Sequence, residues 1–210
     1  MSGLRELKKE RTRRTLSEVA IGLFLEKGFD AVSVAEIAAA AEVSKPTLFR
    51  YFPAKEDLVL HRFADHEQEP ARVVAAARAA GVPPLEALRD HVLAGLERHD
   101  PVTGLNDAPG VLAFHRLLYG TPALAAGMHT YQGRSEEALA AALGGADPLA
   151  ARLAAAQIVA VLRVLGEENV RRIAAGESVE QVLPGAVAAT RAAFRRLEEG
   201  LSLSSEAARG

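Results

Sequence analysis

Residues 43–58 read VSKPTLFRYFPAKEDL. Ser44 is placed to cap a helix, and Pro46 stands in the first turn of that helix, where a missing backbone N–H does no harm. Pro53 cannot continue the helix and ends it. The stretch therefore predicts a short helix with a defined start and end, from about Lys45 to Phe52.

One side of this short helix is apolar. Leu48 and Phe52 are four residues apart, so they share a helix face and predict contact with a neighbouring helix. The other side can enter a DNA major groove, and it carries four side chains: Lys45, Thr47, Arg50 and Tyr51. An arginine in this position can bond guanine in bidentate fashion, and a threonine offers a hydroxyl and a methyl group to a base edge.

Two further helices are predicted upstream. The first runs from about Leu4 to Lys27 with a continuous apolar stripe and ends at Gly28, beyond which Phe29 can fold back. Ser33 and Glu36 form a capping-box pattern that opens a second, short helix to about Ala41. A long helix followed by two short ones joined by a tight turn is typical of a helix-turn-helix DNA-binding unit.

The stretch 43–58 resembles the helix-turn-helix signature of the TetR family of transcriptional regulators. The match extends upstream and covers about residues 16–60, through Phe24, Gly28, Phe29, Ser33, Ile37 and Ala38. The resemblance implies that the family's DNA contacts fall on Ser33, Lys45, Pro46, Thr47, Phe49, Arg50, Tyr51 and Lys55. The chain departs from the family pattern at Phe49, where a tyrosine is usual, and at Ala54, where a polar cap is usual.

Electrostatics favours the same end of the chain. Lys45 and Lys55 stand at the two ends of the short helix, where they can neutralise phosphates, and the helix N-termini at Ser33 and Ser44 offer free N–H groups. The net charge of −2 alone argues against a nucleic-acid binder, but residues 1–62 hold 11 basic against 9 acidic side chains and residues 63–210 hold 14 against 18. The basic charge is therefore concentrated near the predicted DNA-binding unit.

The remaining sequence also favours helices. Alanine and leucine dominate, and strand-forming residues are sparse and scattered, so we predict an all-α protein of about nine helices. The expected domains are a helix-turn-helix domain over 1–54, a connecting fourth helix over 55–82, a ligand-binding and dimerisation domain over 83–201 and a flexible tail over 202–210. Within the connecting segment, the helix itself is predicted over 55–69 with Pro70 as a break or kink.

Resemblance to the TetR family implies that the second domain binds a small-molecule effector and that its last two helices form a homodimer. The candidate effector residues are the bulky or polar side chains on otherwise alanine-rich helices: Phe114, His115, Leu118, Tyr119, Met128, Tyr131, Gln157 and Val161. Each of them is also compatible with an ordinary core position. The many small residues suit a hydrophobic, including acyl-type, effector.

No catalytic or metal-binding signature accompanies these features. The chain has no cysteine, its six histidines show no zinc-binding spacing, and no phosphate-binding or nucleophile motif occurs. We therefore expect no catalytic residue, no cofactor and no metal. The apolar window Leu153–Leu165 contains Gln157 and Arg163, so it is interpreted as a buried helix and not a membrane span.

Together these observations predict a cytoplasmic, ligand-responsive transcriptional regulator. We expect a repressor that binds a palindromic double-stranded DNA operator as a homodimer and that an effector releases. Two alternatives remain: a helical enzyme that uses the C-terminal cavity, and a helical protein that binds another partner there.

Overall fold

The computed structural model describes residues 2–200, which form helices and connecting loops without a β-strand. The all-α prediction is confirmed. The predicted tail over 202–210 lies outside the described residues. The α-helices are α1 Ser2–Lys27, α2 Val34–Ala40, α3 Lys45–Tyr51, α4 Asp57–Leu60, α5 Ala64–Glu67, α6 Glu69–Ala79, α7 Pro84–Glu97, α8 Pro109–Gly120, α9 Pro122–Leu143, α10 Pro148–Ala174 and α11 Val179–Glu199.

The described chain separates into two compact units. The first contains the residues up to Gln68 together with Ala108–Arg134, and the second contains Glu69–Asp107 together with the residues from Ser135 onward. Helices α8 and the first part of α9 therefore pack in the same unit as the helix-turn-helix segment. The sequence placed them in a separate C-terminal domain beginning at residue 83.

The first unit is built around α1, which contacts α2, α4 and α8. Its core includes Leu16, Ala20 and Phe24 of α1. Gly28 has a φ of +88° and its N–H donates to the Phe24 carbonyl, which ends the helix as the sequence predicts. Phe29 then returns onto Phe24 with ring centroids 4.9 Å apart.

Helix α4 is joined to α1 by a buried hydrogen bond, in which Ser17 Oγ donates to the Leu58 carbonyl at 2.6 Å. The start of α4 is held from within the helix, because the Asp57 carboxylate accepts from the Ala54 N–H at 2.9 Å. The carboxylate reaches back to the chain before the helix, but the first N–H groups of α4 have no side-chain cap.

The fourth helix predicted over 55–69 is not continuous. A 3-10 turn, His61–Phe63, separates α4 from α5, and a new helix, α6, begins at Glu69. Pro70 lies in the first turn of α6, where a proline starts a helix instead of breaking it. These divisions raise the count to eleven α-helices within residues 2–200, against about nine expected.

The second unit packs α7 between α6 and α11, and α11 also contacts α10. Its core contains Leu88 of α7, Ile158 of α10 and Phe194 of α11. Ser178 opens α11 with both hydrogen bonds of the predicted capping box. Pro184 lies inside α11, six positions along the helix.

A close approach fixes a second 3-10 turn, Pro101–Thr103, against α10. Asn169 Nδ2 donates to the Thr103 carbonyl at 2.9 Å, and the Asn169 side chain is buried. Gly104 has a φ of +73°, and a Cβ at that position would lie 2.2 Å from the Gly166 carbonyl oxygen. Only glycine satisfies both conditions.

Candidate nucleic-acid interface

Helix α3 begins with an ordered cap. Ser44 Oγ accepts from the Thr47 N–H at 3.2 Å and lies 2.9 Å from Thr47 Oγ1. Pro46 occupies the first turn, as the sequence predicts. The Phe52 N–H donates to the Leu48 carbonyl and closes the last turn. The helix is therefore short and well defined at both ends, so its outward side chains project from fixed positions.

The two faces of α3 differ sharply in exposure. Leu48 is 1% exposed and Phe52 is 4% exposed, and both belong to the core of the first unit. Phe49 is 46% exposed. The exposed residues of the helix are Lys45, Pro46, Phe49 and Arg50, whereas Thr47 and Tyr51 are half-buried. The outward face thus combines two cations with an aromatic ring.

Arg50 is further oriented by its neighbour in the chain. Its guanidinium carbon lies 5.6 Å from the centroid of the Tyr51 ring. A cation held against an aromatic face loses less conformational freedom when it forms a bidentate contact. Tyr51 therefore acts on the outward face through Arg50 as well as directly.

The turn between α2 and α3 is tight. Val43 N–H donates to the Ala38 carbonyl at 2.9 Å, and Glu42 adopts a φ of +55°. Left-handed backbone is costly for a residue with a Cβ, so this turn is maintained by the packing on both sides. It sets the angle at which α3 leaves α2.

Lys55 makes contacts within the protein, whereas a lysine that binds phosphate would extend into solvent. Its ammonium donates to the Phe29 carbonyl and lies 4.3 Å from the Phe29 ring centroid and 5.3 Å from the Phe24 ring centroid. The side chain is half-buried. Lys55 therefore fastens the loop after α1 to the segment that precedes α4.

The N-terminus of α2 carries its own anion. Ser33 Oγ accepts from the Glu36 N–H at 3.2 Å, and the Glu36 carboxylate accepts from Lys27 Nζ at 2.6 Å. This hydrogen bond lowers the pKa of Glu36 and raises the pKa of Lys27. A carboxylate beside the helix N-terminus competes with a phosphate for the positive end of the helix dipole.

Most of the predicted effector residues of the first unit form one aromatic cluster. Phe63, in the 3-10 turn after α4, lies 5.7 Å from both Phe114 and Tyr131 between ring centroids. His115 continues the chain of rings to Tyr119, 6.1 Å away. Leu118 is buried in the same core, and Met128 packs against it.

Among the side chains that the structure describes, which leave out those of residues 2, 4, 5, 64 and 65, one buried nitrogen or oxygen lacks a hydrogen-bond partner: Nδ1 of His115. Burial lowers the pKa of His115, and the nearby Arg62 guanidinium lowers it further. Arg62 itself lies over the Phe114 ring at 5.0 Å. A ligand atom that accepts from Nδ1, or that donates to it in the other tautomer, would satisfy this nitrogen.

The last two predicted effector residues lie elsewhere. Gln157 is exposed and Val161 is half-buried, and both are on α10 in the second unit. The structure therefore does not place them in the aromatic cluster formed by Phe63, Phe114 and Tyr131.

Helix α10 presents an apolar stripe on the side opposite its core. The exposed fractions of Leu149, Leu153 and Val164 are 61%, 56% and 53%. By length and composition α10 is the one helix within residues 2–200 that would suffice to cross a membrane, yet only 22% of its apolar window is buried. The interpretation of this helix as buried is wrong for the single chain, because only one face of it packs.

Residues 16–61 match the model of a family described as bacterial regulatory proteins, tetR family. A relative, the HTH-type transcriptional regulator TcmR of Streptomyces glaucescens, is 36% identical over 137 residues, which are 64% of this chain and 58% of TcmR. The chain thus spans somewhat more than half the length of this curated relative. Residues 16–61 thus carry the domain of the tetR family of bacterial regulatory proteins.

Two solved structures share its fold along most of the chain. NalD, described as the secondary repressor of the MexAB-OprM multidrug efflux pump in Pseudomonas aeruginosa, is 17% identical with a TM-score of 0.57, over 88% of this chain and 97% of NalD. Thermus thermophilus FadR, described as a TetR-family repressor in complex with lauroyl-CoA, is 22% identical with a TM-score of 0.52, over 94% of this chain and 99% of FadR.

Two residues at the aromatic cluster, Phe63 within it and Arg62 over the Phe114 ring, were not among the predicted effector residues. Phe63 belongs to the predicted fourth helix, whose pattern indicates an inward residue but not its partners. Arg62 is an ordinary exposed arginine in sequence, and its stacking on Phe114 depends on tertiary structure. Prediction of the 3-10 turn at His61–Phe63 would have pointed to both residues, but no glycine or proline in the sequence marks that turn.

Proposed function

We propose that this TetR-family regulator is a cytoplasmic repressor that binds a near-palindromic operator as a homodimer. The observation that carries the proposal is the outward face of α3, with Lys45, Phe49 and Arg50 exposed above a buried Leu48 and Phe52. Arginine is suited to guanine, an exposed aromatic ring to a thymine methyl group, and lysine to phosphate. Ser33, Ser44, Pro46, Thr47, Tyr51 and Lys55 complete the proposed interface as contacts or supports.

A second copy is the proposed occupant of the apolar stripe on α10. Burial of such a stripe against its own symmetry mate is favourable, and a two-fold dimer places two α3 helices on successive turns of DNA. The stripe is bordered by Gln157, Arg163 and Glu167, of which Arg163 and Glu167 form an ion pair at 2.8 Å. Such polar borders suit the rim of a protein interface better than lipid.

The proposed effector is a small hydrophobic molecule, including acyl-type molecules, that enters the aromatic cluster. Phe63, Phe114 and Tyr131 offer apolar and aromatic surface. The unpartnered His115 Nδ1, in the tautomer that carries its proton there, can donate to a carboxylate or carbonyl oxygen at the polar end. Lauroyl-CoA, which is named in the description of the FadR neighbour, belongs to this class.

The effector signal is proposed to reach the DNA-binding helices through α4 and the 3-10 turn that follows it, residues 57–63. Phe63 touches the cluster, and Leu60 lies against Gly127 of α9. The same segment is tied to α1 through the bond from Ser17 to Leu58. An effector that favours a different position of this segment would shift the population away from the DNA-binding arrangement of α2 and α3.

Selection of bound duplexes from a random DNA pool tests the proposal. The expected result is an enriched inverted repeat whose half-site centres lie about 34–36 Å apart. Arg50→Ala should lose preference at one base of each half-site, whereas Lys45→Ala should retain the same sequence with weaker binding. Failure to enrich any sequence would contradict the proposal.

Native mass spectrometry tests the effector. We expect an added mass after incubation with lauroyl-CoA or dodecanoic acid, and we expect the double variant Phe114→Ala, Tyr131→Ala to lose it. The variant Phe49→Ala, altered on α3, is the matched control and should retain the ligand. Equal retention by the double variant would contradict the proposed location.

A further inference from the structure

A groove of about 350 Å³ lies between α7 and α11. Both helices belong to the second unit, whereas the aromatic cluster belongs to the first. Two of its lining arginines, Arg191 and Arg195, come from α11. The other lining residues come from α7: Arg89, Asp90 and Leu93. Three guanidinium groups from two helices therefore line the groove, together with a single carboxylate.

That carboxylate is already engaged. Asp90 Oδ1 accepts from Arg89 Nε at 2.9 Å and lies 2.9 Å from Arg89 Nη2. The nearby carboxylates of Glu86 and Glu198 also stabilise the charge of Arg89. Asp90, Glu86 and Glu198 therefore all act on the charge of Arg89, and Glu198 also stands one helical turn from Arg195 on α11.

Arg191 and Arg195 are left without a hydrogen bond or ion pair to any residue of the described chain, 2–200. They stand four residues apart on α11, where like charges repel each other. Other arginines of this unit are paired with glutamates, as in Arg163 with Glu167 and Arg171 with Glu168. Two unpaired guanidinium groups lining a concave surface produce a positive potential that favours an anion.

We propose that this groove binds a small organic molecule that carries two linked phosphate groups, such as a nucleoside diphosphate. Guanidinium groups match phosphate oxygens bidentately, so Arg191 and Arg195 would hold the phosphates. Leu93 provides apolar surface for the organic part. The volume lies at the small end of the range for ligand sites. This site goes beyond the proposed DNA and effector functions and does not depend on either.

Calorimetric titration of the DNA-free protein with ADP, and separately with inorganic pyrophosphate, tests the proposal. We expect saturable binding of one ADP per chain, with affinity at least about tenfold weaker in the double variant Arg191→Gln, Arg195→Gln. The control is Arg196→Gln, an exposed arginine on the same helix that does not line the groove. It should bind ADP within about twofold of the unaltered protein.

Two outcomes would overturn the proposal. Absence of saturable ADP binding would remove the site, and equal affinities of the double variant and the control would place the ligand elsewhere, for example on the DNA-binding surface. Pyrophosphate should bind more weakly than ADP, because it lacks a part that contacts Leu93. Circular dichroism melting of each variant establishes that the fold is retained, so a loss of binding reports on the groove.

Discussion

Lys55 links the stability of the helix-turn-helix segment to its function. The ammonium is bonded to the Phe29 carbonyl and lies over two aromatic rings, so its loss removes a hydrogen bond and two cation–π contacts. We expect Lys55→Met to reduce the free energy of unfolding by about 1–2 kcal/mol, measured by urea denaturation. The exposed Lys45→Met should change it by less than about 0.5 kcal/mol. Equal stability of the two variants would leave Lys55 with only a phosphate role.

His115 makes the stability of the first unit depend on pH. Burial lowers its pKa in the folded chain, with Arg62 as a second cause, so the folded state binds a proton less readily than the unfolded state. Stability is therefore present at neutral pH and is lost as the pH falls below the ordinary value of about 6.5. Thermal melting should show a smaller difference between about pH 7.5 and 5.5 for His115→Gln than for the unaltered protein. His129→Gln, at an exposed position of α9, should leave that difference unchanged; a reduced difference in this control would contradict the assignment to His115.

Residue-level features differ in how far they can be predicted from sequence. The caps at Ser44 and Ser178 depend on neighbours within one helical turn, so their pattern is visible in the chain. The contact of Lys55 with Phe29 crosses 26 positions, and the stacking of Arg62 on Phe114 crosses still more. Such contacts depend on how helices pack, and no local sequence pattern around a charged residue predicts them.

Among the helices, α9 approaches α4 closely where Gly127 lies against Leu60, the last residue of α4. A Cβ at Gly127 would lie 2.5 Å from Leu60 Cδ1, whereas a Cβ at Gly133 of the same helix would meet nothing within 4 Å. We expect Gly127→Ala to be about 1–2 kcal/mol less stable than Gly133→Ala, because both alanines favour helix but only the one at position 127 overpacks against Leu60. Gly133→Ala should raise the free energy of unfolding by up to about 1 kcal/mol, because alanine favours helix. Denaturant titration of both variants measures the difference.

DNA binding provides a second measurement on the same pair. If the segment from Leu60 to Phe63 transmits the effector signal, Gly127→Ala should also change the affinity for the selected operator, and Gly133→Ala should not. Unchanged operator affinity in a folded Gly127→Ala protein would argue against this segment as the route.

The apolar stripe of α10 is the expected dimer surface. Val164 is 53% exposed on that stripe, and Val82, at 38%, lies in the loop before α7. Placing a lysine in a buried apolar interface leaves a charge without a partner. Sedimentation should therefore show that Val164→Lys is a monomer at micromolar concentration, while Val82→Lys remains a dimer. A dimeric Val164→Lys protein would move the interface elsewhere, and association with lipid vesicles would favour a membrane as the occupant.

Element boundaries were predictable where the chain marks both ends. Pro122 and Pro148 begin α9 and α10, as expected for proline in the first turn. The fourth helix was not predictable in the same way, because no glycine or proline marks the 3-10 turn at His61–Phe63. That turn is accompanied by side-chain contacts from other elements, such as the one between Phe63 and Phe114.

For the molecule as a whole, the net charge of −2 conceals a division between segments. All five lysines lie within the first 55 residues, although Lys27 and Lys55 are occupied by internal contacts. Lys45 and Arg50 therefore carry much of the expected positive charge on the outward face of α3. The sequence predicted the helical class and the DNA-binding segment, but it did not reveal that residues 108–134 pack with that segment. Such packing arises from tertiary contacts between distant parts of the chain.

Fluorescence anisotropy with the selected operator and a scrambled duplex of equal length measures sequence-specific DNA binding. We expect the operator to bind more tightly than the scrambled duplex by at least about a thousandfold. Both affinities should fall steeply between about 50 and 200 mM salt, since bound cations are released from phosphates. Arg50→Ala should reduce the ratio of the affinity for the operator to the affinity for the scrambled duplex. Weak binding that is equal for both duplexes at every salt concentration would contradict the account.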